Sequence, residues 1–369
     1  MAAMERAQRC SAASLTEDLI VEILSRVPVK PLCRFKCVSK AWENLISHPE
    51  HRKKLPQTLA GFLYTSLSGL LPALAFTNAS PQEERYPIFP SNFSFLPEFQ
   101  DIRIMDCCNG LLLCRLWEST DDFHYVLCNP ATEKFTTVPP SGNADNLYAA
   151  RLGFDPAVSS SRFHVFELVE YEEDDPVITG VRVYSSETRE WVHKEVEWSD
   201  DALLESRLSR TVFLNGSLHI LTDQPAVLTV DTELKTWRKI HLSLLQDQDG
   251  FIQQSQGRLH YVNFREFDSV TRLAVYILED YGGDDWVLKH SVEASRIFGT
   301  TDLQLVDWVA MHPECNLLFF SVGWDGTLMS YDMDRQQVRV IRNLGHDSLP
   351  PYLPCVPFYS ELPALENET

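Results

Sequence analysis

The chain has 369 residues, 44% of them apolar and 23% charged, which supports folded domains with sizeable cores, leaves little room for extended disorder, and is long enough for one small domain plus one large repeat domain. The net charge of −20 is unevenly spread: residues 1–57 hold 10 Lys/Arg against 6 Asp/Glu, and the remainder 22 against 46. So acidic a bulk repels phosphate backbones and anionic lipids, which excludes nucleic acid and membrane surfaces as partners of the larger part.

The N-terminal stretch MAAMERAQRCSAAS lacks the apolar core of a signal peptide, and no later run approaches the roughly 18 apolar residues of a membrane span. An intracellular protein of the cytoplasm, the nucleus or both is expected. The glycosylation-type sequons at Asn78, Asn92, Asn215 and Asn367 are then chance matches. Nine cysteines, at 10, 33, 37, 107, 108, 114, 128, 315 and 355, include no C-x-x-C pair, so they read as free thiols. Cys33 and Cys37 would sit one helical turn apart, but no second ligand pair follows them. Neither a metal nor a cofactor is expected.

Leu15, Leu19, Ile20, Ile23, Leu24 and Val27 recur at helical spacing and define a first helix with one apolar face. Ser14 or Thr16 can cap it, Glu17 and Asp18 suit its first turn, and Pro28 should end it. Pro31 suits the first position of a short second helix that carries Leu32, Phe35 and Val38. Ser39 can cap a third, with Trp42, Leu45 and Ile46 on one face, until His48-Pro49 breaks it. So small a unit cannot bury all these side chains within itself, so some must face either the rest of the chain or a partner.

These residues carry a resemblance. Leu15 to Ile46 resembles an F-box, with VEILSRVPVK and RFKCVSKAW similar to the plant form. Thr16 stands where that family usually has proline. The resemblance implies a Skp-family adaptor as partner and, through it, a cullin. It also implies that Leu15, Leu19, Ile23, Leu24, Val27, Pro28, Leu32, Phe35, Val38, Trp42 and Leu45 divide between a small core and the adaptor surface. The sequence does not say which do which.

Beyond residue 60 the pattern becomes strands. An apolar strand, a polar turn and a large residue six positions after the first turn residue recur at Asn129–Phe135, Ser185–Trp191, Asp231–Trp237, Asp280–Trp286 and Asp332–Val338. The closing residues are 56, 46, 49 and 52 positions apart, near the repeat length of propeller blades. Each turn unit follows a further apolar run, such as NGLLLC or NLLFFSV, so every repeat can supply the strands of a blade. Phe135, Trp191, Trp237, Trp286 and Val338 are read as packing residues between neighbouring blades. The acidic run EYEEDD, 170–175, reads as a solvated loop.

The kelch glycine doublet is missing except for Gly282-Gly283, which lies in a turn. The array instead resembles the divergent kelch-like associated domain found behind plant F-boxes, on the motifs CNGLLLC, LCNPATEKF, LGFDP and LPPYLPCVPFYS. The expected architecture is multidomain α+β: a flexible 1–13, a three-helix F-box over 14–56, an all-β propeller of about six kelch-like blades over 57–361, and a flexible tail over 362–369. Early and late strands would pair to close the ring.

No nucleophile elbow, phosphate loop or zinc-binding helix is present. His219 and His260 occupy equivalent places in SLHIL and RLHYV and are read as repeat residues. The expected function is that of a non-catalytic substrate receptor of an SCF-type ubiquitin ligase, which tethers an unidentified protein target through the propeller. The alternative is a propeller enzyme or small-molecule sensor whose F-box only regulates its turnover.

Overall fold

The computed structural model describes residues 15–27, 31–32, 35–36, 38–48, 51, 55, 59–67, 73–79, 95–96, 101–117, 123–142, 147–171, 177–195, 211–222, 226–242, 250–300 and 302–358. Pro28, Cys33, Cys37, Asn92, Asn367 and the two termini expected to be flexible lie outside these residues. The chain divides into two compact units, Met1–Pro56 and Gln57–Thr369.

The first unit contains α1 (Glu17–Leu24) and α2 (Lys40–Ser47). Helical residues also occur at Pro31, Leu32 and Phe35, but a complete helix between α1 and α2 does not fall within the described residues, so the expected three-helix count stands at two. Thr16 takes the N-cap position of α1 with extended backbone, yet its side chain caps nothing. Ser39 does cap α2, its hydroxyl accepting from the Trp42 amide at 3.2 Å. Helix α1 ends at Leu24 rather than running to Pro28. Its last turn tightens, with the Arg26 and Val27 amides bonding the carbonyls three residues back, Ile23 and Leu24, at 3.1 Å each.

The second unit is a six-bladed propeller. It opens with β1 (Gly61–Ser66) and β2 (Ala73–Asn78), which pair with each other. The first complete blade is β3 (Asp101–Cys108), β4 (Leu111–Trp117), β5 (Phe123–Asn129) and β6 (Lys134–Val138). The next is β7 (Leu147–Phe154), β8 (Phe163–Tyr171), β9 (Val177–Ser185) and β10 (Glu190–Glu195). Then come β11 (Thr211–Leu214), β12 (Ser217–Leu221), β13 (Ala226–Asp231) and β14 (Trp237–His241), followed by β15 (Phe251–Ser255), β16 (Arg258–Phe267), β17 (Val270–Leu278) and β18 (Trp286–Glu293). A short helix α3 (Ala294–Phe298) leads into β19 (Val306–Met311), β20 (Leu317–Val322), β21 (Thr327–Asp332) and β22 (Gln337–Asn343). Strand β23 (Ser348–Cys355) then pairs with β1, so the sixth blade combines both ends of the chain in the order β2-β1-β23.

Sequence chemistry explains the blade. Where the first and second strands are joined by Asn109-Gly110 or Asn215-Gly216, both turn residues have positive φ, the geometry of a tight hairpin whose twist matches its strands. Gly110 has a second constraint, because a Cβ there would meet the Val356 carbonyl oxygen at 2.2 Å. All five recurrent polar turns join a third strand to a fourth. In each of them the opening residue caps its own turn: Asn129 accepts from the Ala131 amide at 3.1 Å, Ser185 from Glu187 at 3.3 Å, Asp231 from Glu233 at 2.9 Å, Asp280 from Gly282 at 2.8 Å and Asp332 from Asp334 at 3.0 Å. The repeated residue is thus a turn acceptor.

Six clusters of buried apolar residues fill the six gaps between neighbouring blades. At the closure, Phe62 of β1 packs edge-on against Phe319 of β20, with ring centroids 5.0 Å apart. Phe358, just after β23, packs against Phe154 of β7 at 5.1 Å and accepts a 2.7 Å bond from the buried Asn129 amide on its carbonyl. The chain ends are therefore built into the ring on both sides.

Candidate functional site

The first unit presents its apolar residues in two ways. At about 100° per residue, Leu15, Leu19 and Ile23 form one stripe of α1, and Ile20, Leu24 and Val27 the adjacent one. The second stripe packs: Leu24, Leu32, Ile46 and Leu55 are buried together, with Ile20, Val27, Phe35, Trp42 and Leu45 half-buried around them. Phe35 and Trp42 meet edge-on, ring centroids 5.6 Å apart. The first stripe stays in solvent: Leu15, Leu19 and Ile23 are 55%, 52% and 52% exposed, and Val38 is 61% exposed. The single apolar face expected of α1 is thus two faces, only one of which is used within the unit. Val21, also buried, was not singled out from the sequence.

Of the expected packing residues, Trp286 is buried between the β11–β14 and β15–β18 blades, with its ring 6.2 Å from that of Tyr261. Trp191 is half-buried beside Tyr184, centroids 5.5 Å apart, and its indole N–H donates to the Pro139 carbonyl at 2.9 Å. Trp237 packs partly buried against the cluster between the second and third complete blades and donates to the Leu234 carbonyl at 3.3 Å. Phe135 and Val338 differ, standing exposed on the outermost strands β6 and β22, where one sheet face meets water.

Several titratable groups of the propeller interior are engaged in structure. His219 is fully buried, its Nδ1 3.0 Å from the Val212 carbonyl oxygen and its Nε2 against the Tyr281 hydroxyl of the next blade. His260, equally buried, has Nδ1 3.2 Å from the Arg258 carbonyl oxygen and Nε2 3.2 Å from Lys289 Nζ. Burial holds both imidazoles at about 4, so each is neutral near pH 7. Glu167 and Arg182 form a buried ion pair at 3.1 Å. Arg238 and His241 both reach the Asp284 carboxylate at 3.0 Å and join adjacent blades. Among the described residues no cluster of three His, Cys, Asp or Glu could hold a metal ion.

The described geometry is thus an exposed apolar stripe on a small helical unit, followed in sequence by a closed six-bladed array. Comparison with known families agrees. The F-box domain model matches residues 13–54, and the F-box associated beta propeller domain model matches residues 81–245. The chain belongs to the F-box proteins that carry an associated propeller. Relatives of this F-box protein occur in Arabidopsis thaliana. F-box protein At5g07610 is 27% identical over 303 residues, covering 75% of this chain and 70% of that protein. F-box protein At5g49610 is 25% identical over 309 residues, covering 78% and 81%. Putative F-box protein At1g31090 is 32% identical over 149 residues, covering 34% and 44%. The family resembled by the sequence is thus the one found, and its propeller carries the F-box associated label rather than a kelch one. No helix among the described residues is long and apolar enough to cross a membrane.

Proposed function

We propose that this F-box protein is the substrate-recognition subunit of an SCF-type ubiquitin ligase. Its F-box binds a Skp-family adaptor and, through it, a cullin, while its propeller holds a protein target for ubiquitination and proteasomal degradation in the cytoplasm or nucleus. The observation that carries this is the stripe Leu15, Leu19 and Ile23 with Val38, left in solvent on a unit whose core is already filled by Leu24, Leu32, Ile46 and Leu55. An apolar helix face of this kind is the form in which a helical motif offers itself to a partner. Val27, Phe35, Trp42 and Leu45, half-buried on that core, set the stripe's orientation.

The receptor has no bond to make or break. It raises the effective concentration of target lysines near the transferring enzyme, and a rigid ring suits that role because it fixes where the target sits. The test is co-purification of the full chain with adaptor and cullin. Wild type should recover both, and Leu19→Ala with Ile23→Ala should lose both while unfolding at the wild-type temperature. Failure of the wild-type chain to bind the adaptor would refute the proposal.

A further inference from the structure

Antiparallel blades send their hairpins to two ends of the propeller. Turns between first and second strands, and between third and fourth, lie at one end; turns between second and third strands, and passages to the next blade, lie at the other. With the outermost strands set aside, the described residues of the first end expose one large apolar side chain, Val158. The second end exposes Leu67, Phe267, Val270, Leu305, Trp324 and Leu349. Phe267 and Trp324 dominate, at 66% and 79% exposed, and sit on the second-to-third turns of consecutive blades.

The turn that carries Trp324 is held from several sides. The Gly323 amide donates to the Leu305 carbonyl at 2.9 Å, Gly345 to Asp325 at 3.0 Å and Leu344 to Gly326 at 3.1 Å. His346 Nδ1 lies 2.9 Å from the Trp324 carbonyl oxygen, and the Asn343 amide bonds the Asp325 carboxylate. The indole is thus presented to water from a fixed backbone. A large ring held in place before binding loses little entropy on contact and makes an efficient anchor.

Acidic side chains surround these apolar ones. Glu266 and Asp268 flank Phe267, Asp302 precedes Leu305 and Asp347 precedes Leu349; all four acidic residues are exposed. Among the described residues none of these four forms an ion pair. The neighbouring arginines are engaged elsewhere, Arg272 and Arg296 with Glu293 and Arg265 with the Tyr276 hydroxyl. Arg103 lies exposed near the start of β3, and Arg342 on the outermost strand β22.

From this we infer that the second-to-third-turn end of the propeller is a docking surface for a lysine- and arginine-rich protein segment. The aliphatic stems and cationic heads of such a segment cover Phe267 and Trp324, while its charge meets the surrounding aspartates. A phosphorylated segment is repelled by the same carboxylates. A second copy of the chain brings the same acidic end and is repelled likewise. The inference rests on the receptor reading, whose target class it names.

The test uses the full-length protein and a short fluorescein-labelled peptide in which arginine alternates with serine and leucine, alongside a counterpart with glutamate in place of arginine. Anisotropy should show the arginine peptide binding and the glutamate peptide not. Phe267→Ala with Trp324→Ala should weaken binding at least tenfold, Trp324→Phe should restore most of it, and added salt should weaken it further. Asp268→Asn with Asp302→Asn should also reduce affinity. All these side chains are exposed, so an unchanged thermal unfolding profile confirms that the variants are folded. Equal binding of both peptides, indifference to Phe267→Ala with Trp324→Ala, or a dimer that this double variant dissolves would each overturn the inference. Adaptor capture is read separately: its loss with peptide binding intact refutes the receptor reading and leaves the surface in place.

Discussion

In the F-box unit α1 leaves Leu15, Leu19 and Ile23 in water, whereas in the propeller each gap between sheets is filled by its own cluster of buried side chains. Both units are rich in apolar residues, but they use them differently. The ring closes on itself through β1 and β23 and has no unpaired neighbour left to find. The small unit reaches a filled core with the second stripe of α1 and keeps the first for something outside itself. An apolar excess therefore signals a partner only where the unit that carries it is too small to consume it.

The widest separation between the two regions should appear in stability. Phe320, fully buried in the cluster between the last two complete blades, should cost about 3–5 kcal/mol when truncated to alanine, read as a shifted midpoint in denaturant. Within the F-box unit, Leu24→Ala should cost about 2–5 kcal/mol of that unit's stability, measured by hydrogen exchange of its amides. Leu19→Ala, five residues away on the same helix, should stay within about 0.5 kcal/mol of wild type. Equal losses for Leu24 and Leu19 would erase the distinction between the two stripes of α1.

Acid sharpens the comparison from the propeller side. Burial holds His164, His219, His260 and His312 at about 4, against the usual 6.5. Below pH 6.5 the unfolded chain takes up protons that the folded one refuses, so stability falls as the pH drops from 6.5 toward 4. Glu314 runs the opposite way: burial raises it to about 7 from 4.5, so it favours the fold as pH falls across that interval. Four histidines outweigh it, and the thermal midpoint of the propeller should drop between pH 6.5 and 4. None of these five groups lies in the F-box unit. The turns give a smaller loss than the core truncations. Asp231 accepts from the amides of Glu233, Lys235 and Thr236, so Asp231→Ala should cost about 1–2 kcal/mol by denaturant unfolding.

The five complete blades were legible because each repeats one local device, an Asn, Asp or Ser that opens the third-to-fourth turn and a large residue that begins the fourth strand. The sixth blade was not periodic, since β1 and β2 lie at one end of the chain and β23 at the other; the expected pairing of early and late strands is found, and it joins the three as one sheet. Exposure of Phe135 and Val338 was equally hidden, because it depends on which face of an outermost strand meets water. In the F-box unit, the residues were legible and their division was not. The helical angles of Leu15, Leu19 and Ile23 against Ile20, Leu24 and Val27 held that signal, but the positions of Leu32, Ile46 and Leu55 were needed to decide which stripe was covered. Trp42, which the sequence left between core and surface, half-buries its ring against Phe35, so its truncation would disturb the core as well as any surface.

The central claim is that one stripe of α1 captures the adaptor and does nothing for folding. Calorimetric titration of the adaptor into wild-type protein, into Leu19→Ala with Ile23→Ala, and into Phe267→Ala with Trp324→Ala tests it directly. The claim predicts tight binding to the first, at least tenfold weaker binding to the second at unchanged thermal stability, and wild-type binding to the third. Wild-type affinity in the Leu19→Ala, Ile23→Ala protein would contradict it.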